Sequence, residues 1–401
     1  MLESDLPTRV LQQKLTPSLA STIPPMKDEL EYALSVEMPD CEGKQTLLGY
    51  LQATASSGQQ SHDIGVQGKR RTRDPDVCRN EEWLHASIHY TVNVFTTVMV
   101  LRMFPSFLHS LIAPLLPSYW RIHANLKTAK RIIGPIVRQR RADAAAAQQG
   151  ESDYEKSSDL LQLMMDIAKP HESHPDKLAH RQLLLTLASI HTTTMATAHA
   201  IYDLCAHPRY FGPLREEASD LVAQEGWTKP TLNKLRYLDS FIKESQRMNP
   251  PSLLAFNRLV QKAPLKLSDG TILPPGTHFS IASDAILHDP EHLPGGGDPE
   301  QFDPFRYARL REDPRHPENL SRFQFATTDS SNLHFGHGKF ACPGRFFASQ
   351  EIKLLLIHLL LRYEFKYPEG QGRPQNLSAD ENIYPDESAR VLIRARQDVT
   401  C

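Results

Sequence analysis

The chain has 401 residues, and its charges nearly balance, with 45 Lys and Arg against 47 Asp and Glu. Hydrophobic residues make up 40% of it, so it is long and apolar enough to bury a large core. The near-neutral charge gives no electrostatic reason to expect a nucleic-acid partner. Its five cysteines have no paired spacing, which argues against a C-x-x-C zinc site or a disulfide framework and favours a reducing compartment.

The N-terminal part of the chain is predicted to be helical over residues 1–41. Leu11, Leu15 and Leu19 recur there at a spacing of four, which is typical of one helix face. Helices are also predicted over most of the stretch from Asn80 to Arg247, where prolines mark the breaks between them. The first two thirds of the chain is therefore expected to be mainly α.

Two early segments depart from this pattern. Residues 42–76 are atypical, polar and without periodicity, and their basic run at 69–73 is expected to be a solvated loop rather than a nucleic-acid site. The apolar stretch from Thr91 to Leu101 is too short to span a bilayer, and no signal region begins the chain. This stretch and residues 111–116 are candidates for contact with a membrane surface.

The last third of the chain changes character. Residues 265–273 have the pattern of a β-hairpin, and a second strand pair is predicted near Thr277 to Ile281. A Pro- and Gly-rich loop section is predicted over 284–341, followed by an apolar helix from Arg345 to Tyr363 and a strand-like tail. The predicted fold class is mainly α with small β-sheets.

One cysteine occupies a distinctive loop just before the last predicted helix. The segment 335–345 reads Phe-Gly-His-Gly-Lys-Phe-Ala-Cys-Pro-Gly-Arg, with Cys342 as its cysteine. Glycines let a backbone approach a flat ligand closely, and a helix N-terminus lowers the pKa of a thiol. From residue types alone, a single cysteine in a chain of this size is more often inert and buried.

The same segment closely resembles the heme-binding loop of cytochromes P450, Phe-x-x-Gly-x-Arg-x-Cys-x-Gly. Phe335, Gly338, Cys342 and Gly344 occupy the matching positions. The resemblance implies that these residues bind heme b and that the Cys342 thiolate is the axial ligand of its iron, which favours O–O cleavage. Phe340 departs from the family pattern, because Arg or His usually stands there to meet a heme propionate.

A second match to the family lies upstream of this loop. Glu244 and Arg247 share a helix face at i and i+3, an arrangement that is common and weak by itself. The segment 299–306 matches the family pattern P-E-x-F-x-P-x-R. The resemblance implies that Arg306 joins Glu244 and Arg247 in a buried three-residue network that fixes the loops leading to Cys342.

A third match lies inside the long helix predicted from Arg181 to His207. The segment 188–194 reads Ala-Ser-Ile-His-Thr-Thr-Thr and places poor helix formers in mid-helix, a violation often found at functional sites. The family has [Ala/Gly]-Gly-x-[Asp/Glu]-Thr here, which implies that Thr192 relays protons during oxygen reduction. His191 replaces the acid and is either a second proton shuttle or a packing residue. This His-Thr-Thr version resembles fungal members related to ent-kaurene oxidases.

The resemblance runs from about Leu15 to Val391, and residues 1–401 are predicted to form a single heme domain. Members of this kind usually continue further at the N-terminal side, so we expect the N-terminal part of the fold to be absent. Lys14 would be the group left to meet a heme propionate. The resemblance further implies a set of residues that line the substrate pocket, namely Leu184, Ala188, Leu253, Leu254 and Ala255.

Taken together, the resemblance implies a heme-thiolate monooxygenase that oxidises an apolar small molecule, such as a terpenoid or another fungal secondary metabolite. It would use O2 and electrons from NADPH, delivered by NADPH–cytochrome P450 reductase near the Cys342 face. The family location is the cytoplasmic face of the endoplasmic reticulum membrane, whereas the chain as written has no anchor and would be cytoplasmic. Two alternatives stay open, a catalytically impaired fragment and a reductase-independent heme-thiolate isomerase or dehydratase.

Overall fold

A computed structural model of the protein describes residues 4–38, 42–46, 77–150, 154 and 156–397. The chain divides into two units, and each has its own core. Unit 1 comprises Met1–Pro39, Gly49–Thr194 and Trp227–Lys229, and unit 2 comprises Asp40–Leu48, Met195–Gly226 and Pro230–Cys401. The division into two units does not test the prediction that residues 1–401 form one heme domain, which stays a prediction.

Helices dominate both units, which confirms the predicted fold class. In chain order they are α1 (Leu6–Val10), α2 (Leu19–Glu37), α3 (Glu81–Arg102), α4 (His109–Ile112), α5 (Pro117–Gln148), α6 (Leu160–Ile167), α7 (Pro175–Ala206), α8 (Phe211–Glu225), α9 (Lys229–Lys234), α10 (Arg236–Met248), α11 (Ser283–Leu287), α12 (Arg306–Glu312), α13 (Asn319–Arg322) and α14 (Arg345–Arg362). Within the part of the chain that the structure describes, no helix has the length and hydropathy that a bilayer crossing requires.

The described strands are short and belong to unit 2. They are β1 (Glu42–Thr46), β2 (Ala255–Leu259), β3 (Leu265–Lys266), β4 (Ile272–Leu273), β5 (His278–Ile281), β6 (Tyr363–Lys366), β7 (Leu377–Ala379), β8 (Asn382–Tyr384) and β9 (Arg390–Ala395). β1, β9 and β6 form an antiparallel sheet in that order, with Phe365 opposite Ile393. The other pairs are β2–β5, β3–β4 and β7–β8.

These pairings agree only in part with the sequence patterns. The predicted hairpin over 265–273 is β3 and β4. The strand near residues 278–281 is β5, but its partner is the upstream β2 rather than a neighbouring strand. Of the atypical segment 42–76, β1 is described, while the basic run at 69–73 lies outside the described residues.

Unit 1 is held together by buried charged side chains as well as apolar ones. The Asn80 side chain caps α3 by accepting from the Trp83 N–H at 2.9 Å, and the Trp83 ring is fully buried. Asp159 caps α6 by accepting from the Gln162 N–H at 2.8 Å and also receives both Nη atoms of Arg140. One carboxylate therefore ends a helix and pairs with a buried guanidinium, which ties α6 to α5.

Unit 2 is built around α14, whose middle, residues 352–360, is buried on every side. A helix that is apolar all round is typically enclosed by the fold. The neighbouring α10 is unusual because it buries polar side chains. Asp239, Lys243, Glu244 and Arg247 are all less than 3% exposed. Buried charges need specific partners, so α10 is where unit 2 concentrates its polar contacts.

The prediction of a loop section over 284–341 is wrong in part, because α11, α12 and α13 lie within it. These helices are four to seven residues long, too short to show a helical period in the sequence. The start of α12 is capped from another helix, since the Ser240 hydroxyl accepts from the Tyr307 and Ala308 N–H groups at 3.1 and 3.0 Å. A cap so distant in sequence leaves no local signal.

Candidate functional site

The loop before α14 is shaped by two glycines. Gly336 and Gly338 have φ values of +67° and +63°, in the left-handed region that favours glycine. A Cβ on Gly336 would lie 3.3 Å from the carbonyl oxygen of Phe340, so a side chain would crowd the loop. The Cys342 N–H donates to the Phe335 carbonyl at 2.7 Å and closes the loop. The backbone thus brings Cys342 back beside the start of its own motif.

The Cys342 thiol is half-buried and unpaired in the described structure. Burial raises its pKa, while hydrogen bonds from the Gly344 and Arg345 N–H groups and the charge of Arg345 act in the opposite direction. Desolvation therefore outweighs the effect of the helix terminus, and the pKa of the Cys342 thiol is raised. A coordinated metal ion deprotonates a thiol outright, and the two N–H groups are then well placed to hold the thiolate.

Phe340 lies at the rim of this loop with 62% of its surface exposed. The guanidinium carbon of Arg258, on β2, is 4.2 Å from the centre of the Phe340 ring. The motif comparison missed Arg258, since nothing in the sequence pairs a strand residue with a loop so far along the chain. A cation therefore stands beside the position where the family pattern has one and this sequence has phenylalanine.

Glu244, Arg247 and Arg306 lie together in unit 2. Arg247 donates through Nε and Nη2 to the two Glu244 carboxylate oxygens, each at 2.9 Å, and Arg306 Nε lies 3.5 Å from Oε2. Glu244 is fully buried. Burial alone would lower the pKa of Arg247, but its hydrogen bonds to Glu244 and the charge of that carboxylate raise it.

The same network binds backbone from the section that precedes the cysteine loop. Arg247 Nη1 donates to the carbonyls of Leu287 and Pro299 at 3.0 and 2.8 Å. The Asp303 N–H donates to Glu244 Oε1 at 3.0 Å. The network therefore fixes three separate points of a section that has little regular structure of its own.

The predicted proton-relay residues lie on α7. The Thr192 hydroxyl is exposed and donates to the carbonyls of Ala188 and Ser189 at 2.9 and 3.2 Å. Burial lowers the pKa of His191, and a hydrogen bond to the Ile88 backbone offsets this in part. The buried Nε2 of His191 has no hydrogen-bond partner in the described part of the chain. A neutral imidazole is the expected form near pH 7.

The other residues predicted in unit 1 differ in exposure. Leu184 and Ala188 share a stripe of α7 with Thr192, because they are spaced four apart. Ala188 is exposed and Leu184 half-buried, although the intervening Leu185 is buried. Lys14 is exposed on the π-helical turn Leu11–Leu15.

In unit 2, the stretch Leu253, Leu254 and Ala255 is half-buried. The Leu253 N–H donates to the carbonyl of Glu381 at 2.7 Å, so the hairpin of β7 and β8 lies against this stretch. The motif comparison did not include this hairpin, because its sequence carries no pattern of its own. The hairpin of β7 and β8 therefore places its own residues next to the predicted pocket lining.

Comparisons with known proteins give one consistent family. A family profile described as Cytochrome P450 matches residues 77–391. The chain is similar to Cytochrome P450 monooxygenase AN1598 of Emericella nidulans, at 58% identity over 401 residues, covering 99% of this chain and 71% of that protein. It is also similar to ent-kaurene oxidase P450-4 of Gibberella fujikuroi, at 45% identity over 395 residues, covering 98% and 75%. The solved structure of retinoic acid-bound cyanobacterial CYP120A1 matches with a TM-score of 0.70 and 21% identity, covering 97% of this chain and 78% of that one.

Proposed function

This chain belongs to the cytochrome P450 family of monooxygenases, and we propose that its substrate is an apolar small molecule, a terpenoid or another fungal secondary metabolite. The family holds heme b through a cysteine thiolate and uses O2 with electrons from a redox partner. The observation that carries the proposal is the cysteine loop, with the half-buried Cys342 sulfur flanked by two backbone N–H donors. The terpenoid class is supported by the 45% identity to an enzyme named ent-kaurene oxidase.

The residues present fit a heme group. Cys342 would bind the iron, and the Gly344 and Arg345 N–H groups would stabilise its thiolate. Gly336 has no side chain that would crowd the loop. Arg258 would meet a propionate in place of the residue lost at position 340, because its guanidinium already lies beside that position. When bound, the heme supplies the O2-activating chemistry that protein side chains lack.

The protein contributes proton transfer and substrate orientation. Thr192 Oγ1 would hold and pass a proton, since its hydroxyl is exposed and can turn from the Ala188 carbonyl towards another acceptor. His191 would accept a proton at Nε2, where burial keeps the imidazole neutral. In unit 1, Leu184 and Ala188 would bind an apolar substrate by removing its surface from water, and in unit 2 the same role is proposed for residues 253–255.

We assign the electron donor to NADPH–cytochrome P450 reductase, docking near the Cys342 face. The exposed Lys339 and the half-buried Arg345 give that face positive charge, which would steer an acidic partner. Raising the salt concentration should therefore lower the apparent association rate between the two proteins. A rate that does not depend on salt would argue against this docking face.

A membrane-surface location, by family the cytoplasmic face of the endoplasmic reticulum, is supported by exposed apolar side chains in unit 1. Large apolar patches on a surface usually mark an interaction site. The most exposed large apolar side chains from the end of α3 to the first turn of α5 are Met103, Phe107, Leu111, Leu115 and Trp120. Sedimentation with phospholipid vesicles should weaken strongly when Phe107 and Leu115 are both changed to Ser, and unchanged sedimentation would contradict the assignment.

Turnover tests the proposed reaction. The heme-loaded chain is incubated with reductase, NADPH and a panel of terpenoid hydrocarbons, and oxygenated products are sought by mass spectrometry. Products that need NADPH support the monooxygenase, whereas products formed equally without NADPH indicate a reductase-independent isomerase or dehydratase. Absence of both turnover and a thiolate-type Soret shift indicates a catalytically impaired fragment.

A further inference from the structure

The helix α10 carries a second pair of buried charges besides Glu244 and Arg247. Asp239 and Lys243 are spaced four apart and so share one face of the helix, and they are 2% and 1% exposed. The three-residue network does not include either of them. Their contacts reach a different part of unit 2, the four-residue segment Gln324–Thr327, which we call the shelf segment.

Both charges bind the backbone of the shelf segment. Asp239 Oδ2 accepts from the Phe325 N–H at 2.9 Å. Lys243 Nζ donates to the carbonyl oxygens at the two ends of the segment, at 3.0 and 3.3 Å. The shelf segment lies outside any described helix or strand, so these side chains supply much of its hydrogen bonding.

The carboxylate of Asp239 is itself fixed by two buried cations. Arg311 Nη1, from α12, lies 3.0 Å from Oδ2, and Lys353 Nζ, from α14, lies 2.5 Å from Oδ1. Both cations are buried. Since α14 begins three positions after Cys342, Asp239 anchors the shelf segment and the helix that follows the cysteine at one point.

A single side chain then joins the shelf segment to the cysteine. Arg345 donates through Nε to the Ala326 carbonyl at 3.1 Å and through Nη1 to the Cys342 carbonyl at 2.9 Å. A second connection runs through His334, whose Nε2 lies 3.3 Å from the Phe325 carbonyl. The next residue, Phe335, accepts the hydrogen bond from the Cys342 N–H. Movement of the shelf segment would therefore be transmitted to Cys342.

We propose that Asp239 and Lys243 are positioning residues that hold the Cys342 sulfur in place through the shelf segment and Arg345. The three-residue network of Glu244 holds the section before the shelf segment, and this second network holds the shelf segment itself. The inference rests on the proposed role of Cys342 as the heme ligand.

Burying the charged side chain of Lys243 costs folding free energy. It forms no ion pair within 4 Å with the described carboxylates, and burial lowers its pKa to about 8, although the charges of Asp329 and Asp239 raise it. The two carbonyls that it contacts also accept from Thr327 N–H and from Asn332 Nδ2. An apolar residue would avoid the desolvation of a charge, so the contacts with the shelf segment are what Lys243 supplies and an apolar side chain could not.

The test compares Lys243→Met, Lys243→Gln and a matched control in the heme-loaded chain. Arg181→Met is the control, because Arg181 is a buried cation of unit 1 that also donates to a hydroxyl and a backbone carbonyl, those of Ser4 and Glu172. The readouts are the reduced CO-bound Soret spectrum, which distinguishes thiolate-bound from thiolate-lost heme, the iron reduction potential, and far-UV circular dichroism as a measure of global folding.

Lys243→Met should raise the ratio of thiolate-lost to thiolate-bound heme roughly five- to thirtyfold, at temperatures where circular dichroism is unchanged. Lys243→Gln, which keeps a donor without the charge, should lie between Lys243→Met and the wild type. The inference is overturned if the spectra and potentials of both variants equal those of the wild type, or if Arg181→Met moves the ratio as far. If Lys243→Met does not fold, a wild-type spectrum for Lys243→Gln overturns it. A wild type without any thiolate spectrum would instead refute the proposed function.

Discussion

Replacing Glu244 with Gln removes one negative charge from the centre of unit 2 and almost no volume. The carboxylate is fully buried and accepts two hydrogen bonds from Arg247 and one from the Asp303 N–H. Its Oε2 is also 3.5 Å from Arg306 Nε. In the variant, an amide NH2 group replaces one carboxylate oxygen. One contact with a guanidinium group then places two hydrogen-bond donors against each other.

The expected loss in the free energy of unfolding follows from the charges that remain buried in the variant. Two guanidinium groups, those of Arg247 and Arg306, stay buried without a counter-charge, and breaking a buried ion pair in this way costs about 3–5 kcal/mol. The matched surface change is Glu364→Gln, which breaks the pair of Glu364 with Arg394, whose side chains are 44% and 73% exposed. Such exposed pairs contribute about 0–1 kcal/mol.

Urea unfolding of the heme-loaded variants, followed by circular dichroism and by Soret absorbance, measures both free energies. Glu244→Gln should lower the free energy of unfolding by the larger amount and release heme at lower urea than the wild type. Glu364→Gln should scarcely change either quantity. Equal losses in the two variants, or a loss below about 1 kcal/mol for Glu244→Gln, would refute the reasoning from burial.

Three further outcomes are expected. Thr192→Ala should lower the rate of product formation by roughly a hundredfold, because a positioned proton donor is lost, and the initial rate of product formation measures this. Arg258→Leu should raise the rate of heme loss about tenfold, the scale of one charged hydrogen bond, as followed by transfer to apomyoglobin. Burial alone would raise the pKa of Glu172, but hydrogen bonds from Lys169 N–H and Arg9 lower it to about 2 from 4.5. Its stabilisation is present above pH 4.5 and is lost as the pH falls towards 2, so Glu172→Gln should make acid unfolding less steep in that window.

Each of these variants has a matched control. Ser189→Ala removes another α7 hydroxyl that bonds to a backbone carbonyl and should leave the rate of product formation unchanged. Lys262→Leu removes an exposed cation and should leave heme loss unchanged. Glu31→Gln changes a carboxylate of a more exposed pair and should keep the wild-type acid slope. Equal behaviour of a variant and its control would contradict the role assigned to that variant.

The features that could be predicted well from the sequence are those formed by residues close together in the chain. The glycines and the cysteine of the loop before α14 are adjacent in the chain, so one motif carries the whole local geometry. Long periodic helices such as α7 and α14 were also predicted from spacing and composition. Glu244, Arg247 and Arg306 were grouped only because family resemblance links two segments that a bottom-up reading leaves separate.

The contacts that escaped prediction join residues distant in sequence. Arg258 meets Phe340, Ser240 caps α12, and Lys243 binds the shelf segment. Each partner looks ordinary in its own stretch of sequence, because a surface-type residue becomes a buried donor only after the fold surrounds it. Burial also raises the pKa of Cys342, and the motif could not show this because burial depends on packing that a local segment does not encode.

The most direct test of the account is the reduced, CO-bound absorption spectrum of the heme-loaded chain and of Cys342→Ser. The account predicts a thiolate-type Soret band for the wild type and its complete loss in the variant, while circular dichroism stays the same. A variant that keeps the wild-type band and turnover would show that another group ligates the iron, and the assignment of Cys342 would then be wrong.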